Sequence, residues 1–451
     1  MLNTKIVQSF IAINIKISYN YYKEWINLPL LFFMRKEKTI TGLDIGTSYV
    51  RIVSGQSNET DNGFYIIGAV EVPSEGISKG SIVSIEDAVS SISEGLDQME
   101  RIIGRKVESV YAGVSGLHIS NMPSRGVVAV SRPGGEIRSD DVERVINAAQ
   151  AVATPPNYEI LHVIPKLFTV DSQTGIKDPV GMTGVRLEVE TQIIQGMSSQ
   201  VKNLTKAIYR TGIEIDDLVL SILANAESVL DKRQKELGVV LVNIGYATTS
   251  MAVFEEGDIL LTDILPIGSV HITNDIAIGL KTSLEVAENI KLEYGSANPK
   301  DFAKKEEIDL SEFDPKEESK VSLKYISEII HARLEEIFEM VDKKLVEIDR
   351  SGLLPAGVVL TGAGAELAGI VEVAKKEFRL PASLGKPNNI NTAIDKVKSL
   401  TFSNALGLAI WGWEIEKQLG GKGNGIGWWK FLKSPKKIFN KIKNWFKNFI
   451  S

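Results

Sequence analysis

Residues 39–53 read TITGLDIGTSYVRIV: an apolar, β-branched run ends at Asp44, a Gly46-Thr47-Ser48 turn follows, and a second run leaves it. The plan returns in GVVLVNIGYATTSMAVF, residues 238–254, where Asn243, Ile244 and Gly245 stand for Asp44, Ile45 and Gly46. Glycine lets backbone approach a ligand closely, and successive amide N–H groups with Thr or Ser hydroxyls cradle phosphate oxygens. A carboxylate at the strand end, Asp44, suits a hydrated Mg²⁺ held against those phosphates. Either turn alone also fits a plain β-hairpin. Two in register point to a duplicated unit, two similar halves facing each other across a cleft. The phosphate-binding candidates are Gly46, Thr47, Ser48, Gly245, Thr248 and Thr249.

A third glycine loop, PAGVVLTGAGAEL (355–367), runs from a buried strand through Gly362 and Gly364 toward a helix. That arrangement lets a flat ring lie against backbone at the helix start. Between them, AENIKLEYG (287–295) spaces Glu288 and Lys291 three apart, on one helical face, where they suit ribose hydroxyls. A surface ion pair explains the same spacing equally well.

The elements that carry these turns belong to a chain of 451 residues, long enough for more than one core. Without cysteine, disulfides and thiolate chemistry are excluded and a reducing cytosol is the natural compartment. Only His118, His162, His271 and His331 are present, without metal-ligand spacing, so each is expected to be structural. The formal charge is −6; seven lysines between Lys430 and Lys447 contribute +7, so the chain before them carries −13 and should repel nucleic acid. Nowhere does an apolar run reach the roughly 18 residues of a membrane-spanning helix. Residues 1–33 carry no small-residue cleavage site, and LPLLFF (28–33) offers at most an extra anchor. Our expectation is that translation starts at Met34.

The end of the chain, GWWKFLKSPKKIFNKIKNWFKNFIS (427–451), contains no acid. At about 100° per residue, Ile438, Phe439, Ile442, Trp445, Phe446, Phe449 and Ile450 share an arc of roughly 140°. Lys436, Lys437, Lys441, Lys443 and Lys447 fill the remainder, and Pro435 sits at the first turn, where it is tolerated. A terminal helix packed on the body would also show an apolar stripe. The all-lysine polar face and the glycine-rich tether QLGGKGNGIG (418–427) favour a helix lying in a lipid headgroup layer instead. Its membrane-binding candidates are Trp428, Trp429, Phe431, Ile438, Phe439, Ile442, Trp445, Phe446, Phe449, Lys437 and Lys441.

In order, these motifs resemble the actin-like ATPases. GSVHITNDIA (268–277) matches the connecting segment and FSNALGLAIWG (402–412) the closing helix of that fold. GISKGSIVSIEDAVSSISEGL (76–96), VYAGVSGLHI (110–119) and above all LHVIPKLFTVDSQTGIKDPVGMTGVRLEVE (161–190) resemble, more narrowly, the FtsA family of bacterial cell-division proteins. The resemblance implies an α/β fold of duplicated ribonuclease H-like domains with an FtsA-type 1C (SHS2) insertion and a C-terminal amphipathic helix. It divides the chain into an N-terminal extension (1–33), subdomain 1A (34–106), 1C (107–192), 1A again (193–237), 2A and 2B (238–400), a return to 1A (401–416), a linker (417–427) and a membrane-targeting helix (428–451). Helix SDDVERVINAAQAVA (139–153) within 1C takes Ser139 as its N-cap.

The resemblance also implies ATP and Mg²⁺ as ligands. Partners would be neighbouring subunits in a filament, the C-terminal peptide of FtsZ near the acidic run KKEEIDLSEFDPKEESK (304–320), other division proteins, and the inner face of the plasma membrane at the division site. That charge run reads by itself as a solvated loop. Where such relatives carry D-I-G-G-G-T-T-D, this chain reads Asn243 to Ser250, with both carboxylates neutral and Tyr246 and Ala247 replacing glycines. Losing a carboxylate should damage hydrolysis more than binding, since amides still hydrogen-bond but cannot act as bases. No catalytic residue is assigned, and at most slow ATP turnover is expected. Two rivals share the fold: a PilM-like pilus adaptor and an ASKHA small-molecule kinase, which would need a catalytic Asp beside an acceptor pocket.

Overall fold

The computed structural model describes residues 39–419 apart from 59–62, 154, 304, 316–318 and 388–389. The proposed Met34 start, the glycine-rich tether from Gly420 onward and the basic segment 428–451 lie outside the described residues.

Two five-stranded sheets repeat one plan. In the first, strands Gly63–Pro73, Tyr49–Asn58, Thr39–Ile45, Ser109–Val114 and Glu214–Leu220 lie side by side; the first three are antiparallel and the last two run parallel to Thr39–Ile45. The second sheet orders Asp258–Leu265, Thr249–Glu255, Val239–Ile244, Gly357–Thr361 and Ala382–Leu384 in the same directions. The duplication inferred from the two turns is therefore one of whole sheets. VVLVNI (239–244) is apolar almost throughout because both faces are covered, as expected for a central strand flanked by a parallel neighbour. Val239 and Leu241 pack toward the first half, while Val240, Val242 and Ile244 pack beneath the helices of the second. Those include Ser269–Leu280, Leu284–Tyr294, Leu323–Glu347 and Ile370–Phe378.

Helices Ser221–Val229 and Ser403–Leu419 cross between the halves. Their approach is close enough that a Cβ on Gly407 would stand 2.0 Å from the Ala224 carbonyl oxygen, so only glycine fits. Gly42 plays the same part beneath the helix, with the Ala405 carbonyl 2.3 Å from where its Cβ would be. The second of these helices runs through Leu419, so the first residues assigned to the linker, from 417, are helical instead.

The insertion has its own four-stranded antiparallel sheet, ordered Ile119–Ala129, Arg186–Met197, Tyr158–Val170, Gln173–Ile176, with helix Ser139–Ala153 against one face. Its sheet begins at Ile119, twelve residues after the boundary read from sequence at 107, because Ser109–Val114 pairs between Thr39–Ile45 and Glu214–Leu220 in the first sheet. Ser139 is the first residue of its helix rather than the cap. The end is held by Asp141, whose carboxylate accepts the Arg138 N–H at 3.0 Å, the reverse half of a capping box, and also meets the Arg144 guanidinium.

Asp141 is nearly inaccessible, and first the Arg138 N–H, then the Arg144 hydrogen bond, hold its carboxyl below the ordinary carboxylate range against the opposing effect of burial. A depressed folded-state value means the ionised form is favoured by folding. Its stabilisation is complete above the unfolded carboxylate pKa of about 4 and fades as pH falls through the lower folded value. Asp141→Ala should therefore destabilise the insertion by about 1–3 kcal/mol at pH 7, with the difference from wild type shrinking below pH 4 in thermal melts.

Candidate nucleotide cleft

The two turns superpose residue for residue. Ile45 pairs with Val50 and Ile244 with Thr249, leaving four-residue loops closed by Gly46 N–H to the Tyr49 carbonyl at 3.0 Å and Gly245 N–H to the Thr248 carbonyl at 2.9 Å. Both line one cavity of about 950 Å³ between the halves, together with the Gly362–Gly364 loop. Asp44, Thr47, Ser48, Thr248, Glu288 and Lys291 join them there. Residues predicted from four distant stretches thus meet at one site.

Thr249 does not. It occupies the place of Val50, is fully buried, and donates its hydroxyl to the Ile267 carbonyl at 2.8 Å, so it is a core residue and not a phosphate ligand. The signal was available: aligning Asp44 with Asn243 puts Thr249 opposite an apolar strand position. The next residue, Ser250, lines the cavity instead.

Glu288 and Lys291 do more than form a surface pair. Lys291 is only 6 % exposed, and its ammonium donates to Glu288 at 2.7 Å and to the Thr273 hydroxyl at 2.8 Å. The pair is pinned from helix Ser269–Leu280, whose first turn docks on the second loop through Ser269 N–H to the Gly245 carbonyl and Val270 N–H to that of Tyr246. Tyr246 stands on the cavity wall, where burial and then the Glu288 charge raise its phenol pKa.

The chemistry on the first-half wall suits a phosphate bearing a cation. Ser48 Oγ and Ser74 Oγ, both on that wall, are buried without a hydrogen-bond partner, an arrangement that costs free energy unless a ligand completes it. Asp44 is buried too, which raises its carboxyl pKa; Arg51 and an Asn404 hydrogen bond only partly offset this. A cation beside it would complete that compensation. In the third glycine loop, Gly362 adopts φ +86°, and its absent Cβ would stand 2.1 Å from Asn243 Oδ1.

Residues 240–407 match the family described as Cell division protein FtsA, and residues 116–195 match the SHS2 domain inserted in FtsA. The Cell division protein FtsA of Bacillus subtilis is 40 % identical over 357 residues, covering 79 % of this chain and 80 % of that one. Its counterpart in Pseudomonas aeruginosa is 35 % identical over 410 residues, covering 90 % and 97 %. The chain belongs to the FtsA family.

Among solved structures, the PilM-PilN type IV pilus biogenesis complex aligns with TM-score 0.61 at 16 % identity, covering 83 % of this chain and 98 % of that one. MreB5 of Spiroplasma citri bound to ADP aligns at 0.50 and 15 %, covering 86 % and 99 %. At such identities the likeness is one of fold: FtsA-family membership makes this an actin-like cell-division protein, and PilM a structural neighbour.

Within this FtsA-family cleft the structure adds residues that motif reading passed over. Ser74 comes from the far end of strand Gly63–Pro73's hairpin, and Arg51 lies on the wall beneath Tyr49. Asn404 stands in the first turn of the closing helix. A lone Asn ahead of the apolar run ALGLAIWG was the one sequence cue to it.

Proposed function

We propose that this chain is the nucleotide-binding scaffold that ties division-ring filaments to the inner face of the plasma membrane. ATP with Mg²⁺ fills the cleft; the Gly46–Ser48 and Gly245–Thr248 turns receive the phosphates, Glu288 and Lys291 the ribose, and Gly362 and Gly364 the base. Asp44 would hold the cation. Mg²⁺ when bound supplies charge neutralisation on the phosphates; the chain supplies position and exclusion of water. The observation that carries the reading is the pair of equivalent turns facing one cavity with the Ser48 and Ser74 hydroxyls unpartnered.

Bound nucleotide bridges both halves and so favours the closed, assembly-competent subunit by mass action. The SHS2 insertion meets the neighbouring subunit in a filament, the second-half region around the acidic run 304–320 takes the FtsZ C-terminal peptide, and residues 428–451 reach the lipid. Subdomain 1A comprises the first sheet with helix Ser403–Leu419, 1C begins at Ile119, and 2A and 2B follow from Val239.

Hydrolysis is slow because Asn243 and Ser250 stand where a water-activating carboxylate would be needed. Calorimetry with ATP should give saturable, Mg²⁺-strengthened binding, while phosphate release over an hour stays near background. Turnover at the 1–100 s⁻¹ typical of a kinase would refute the slow-turnover part, and absence of binding would refute the ligand. For the scaffold part, FtsZ should pellet with vesicles only when this protein is present; a pilus peptide recruited in its place would favour the PilM-like alternative.

A further inference from the structure

Four polar side chains from four separate elements converge behind the phosphate turns. Asn404 Nδ2 donates to Asp44 Oδ2 at 3.3 Å. Its other end, Oδ1, accepts from Asn225 Nδ2 at 2.6 Å and from Asn243 Nδ2 at 3.1 Å. Asp44 and Asn243 are the penultimate residues of the equivalent central strands of the two sheets, Asn225 lies in helix Ser221–Val229, and Asn404 is in the first turn of the crossing helix. Asn225 is fully buried, while Asp44 and Asn243 are each under 10 % exposed. The cluster therefore sits in a poorly solvated place where hydrogen-bond polarity is costly to get wrong.

With Asp44 ionised, as a carboxylate holding a cation must be, the polarity admits one self-consistent solution. An ionised carboxylate only accepts, so Asn404 must turn its NH₂ toward Asp44. Its oxygen then faces the other way and needs donors, which Asn225 and Asn243 supply. An aspartate at 243 would set a second acceptor against that oxygen. One planar amide cannot present its NH₂ in both directions, so Asn404 would have to release either Asp44 or residue 243. Asn243 Oδ1 meanwhile rests against Gly362 of the base-side loop, where a Cβ would come within 2.1 Å.

We infer that Asn404 is a positioning residue for Asp44, and that Asn243, besides lacking the carboxylate that would activate water, is the donor that locks it. Through this amide chain the second half fixes the orientation of the cation-holding side chain in the first. The inference rests on the nucleotide reading for its purpose but not for its geometry. It makes a counter-intuitive statement: restoring the carboxylate at position 243 weakens the site.

The test is a double-mutant cycle in the full chain with Asn243→Asp, Asn404→Ala and the pair, read by phosphate release from ATP and in two further ways. ADP affinity is measured by calorimetry with Mg²⁺ and with a chelator, and melting temperature is measured without nucleotide. Asn404→Ala should erase at least about tenfold of the Mg²⁺-dependent affinity. Asn243→Asp should lose a similar factor without raising phosphate release, and the pair should be no worse than Asn404→Ala. In the empty protein the two substitutions should likewise be non-additive in melting temperature. Should Asn404→Ala not fold, Asn404→Ser, too short to bridge to Asp44, replaces it in the cycle. Asn243→Asp binding Mg²⁺-nucleotide as well as wild type, or additive melts, overturns the lock. A wild type that binds no nucleotide defeats the ligand reading, while the melts still decide the lock.

Discussion

Vesicles rich in anionic lipid will carry the full chain to the pellet and leave a variant ending at Gly427 in the supernatant. The segment removed holds seven lysines and no acid, and places aromatic and branched side chains on one helical face. Each lysine near an anionic surface contributes about 1 kcal/mol, and burial of the apolar face adds to that. Losing both should lower partitioning at least about a hundredfold, since each tenfold needs only about 1.4 kcal/mol. The attraction is screened, so raising salt well above 0.15 M should weaken binding of the full chain. Replacing Lys437 and Lys441 by Glu should mimic the salt effect, and replacing Trp445 and Phe446 by Ser should lower partitioning at every salt concentration. Equal pelleting of the truncated and full chains would remove the membrane from the proposal, leaving a scaffold attached by some other contact.

The second large effect is at Gly362. Gly362→Ala should abolish measurable nucleotide binding and lower the melting temperature. Two costs combine. At φ +86° an L-residue is strained by about 1–2 kcal/mol. In addition the new methyl would press on Asn243 Oδ1 at 2.1 Å and the Ile244 carbonyl oxygen at 2.6 Å, distances no side chain can keep. Strands Val239–Ile244 and Gly357–Thr361 are hydrogen-bonded neighbours, so relief must come from moving the loop that carries Gly362 and Gly364. Gly104 provides the control: it has φ +69° at the end of helix Ile85–Ile103, and open space where its Cβ would be. Gly104→Ala should cost backbone strain alone, with a small drop in melting temperature and unchanged nucleotide affinity. Similar nucleotide affinity in the two variants would show that the loop plays no part in binding.

The residues behind both predictions stand out in the sequence, although the crowding at Gly362 does not. Glycine turns, hydroxyl-bearing loops and a 3.6-residue apolar stripe are local signals, carried by residue types a few positions apart. For that reason the chain by itself determined the two phosphate-type turns, their equivalence through Asp44 and Asn243, the Glu288–Lys291 face and the cationic end segment. The boundary of the insertion was misplaced because Ser109–Val114 is strand-forming whichever sheet receives it, and the sheet is chosen by distant partners.

Tertiary structure alone decided the rest. Asn404 reaches Asp44 across 360 positions of sequence, and nothing in FSNALGLAIWG says which strand ends it will meet. The same holds for Ser74, whose hydroxyl matters only because the fold buries it on the wall beside Ser48. Thr249 shows the converse: its type suits a phosphate, but strand alternation turns its hydroxyl toward Ile267. Residue type fixes what a side chain is able to do. Which groups it meets, and whether water is excluded when it meets them, depends on packing between segments that the sequence keeps far apart.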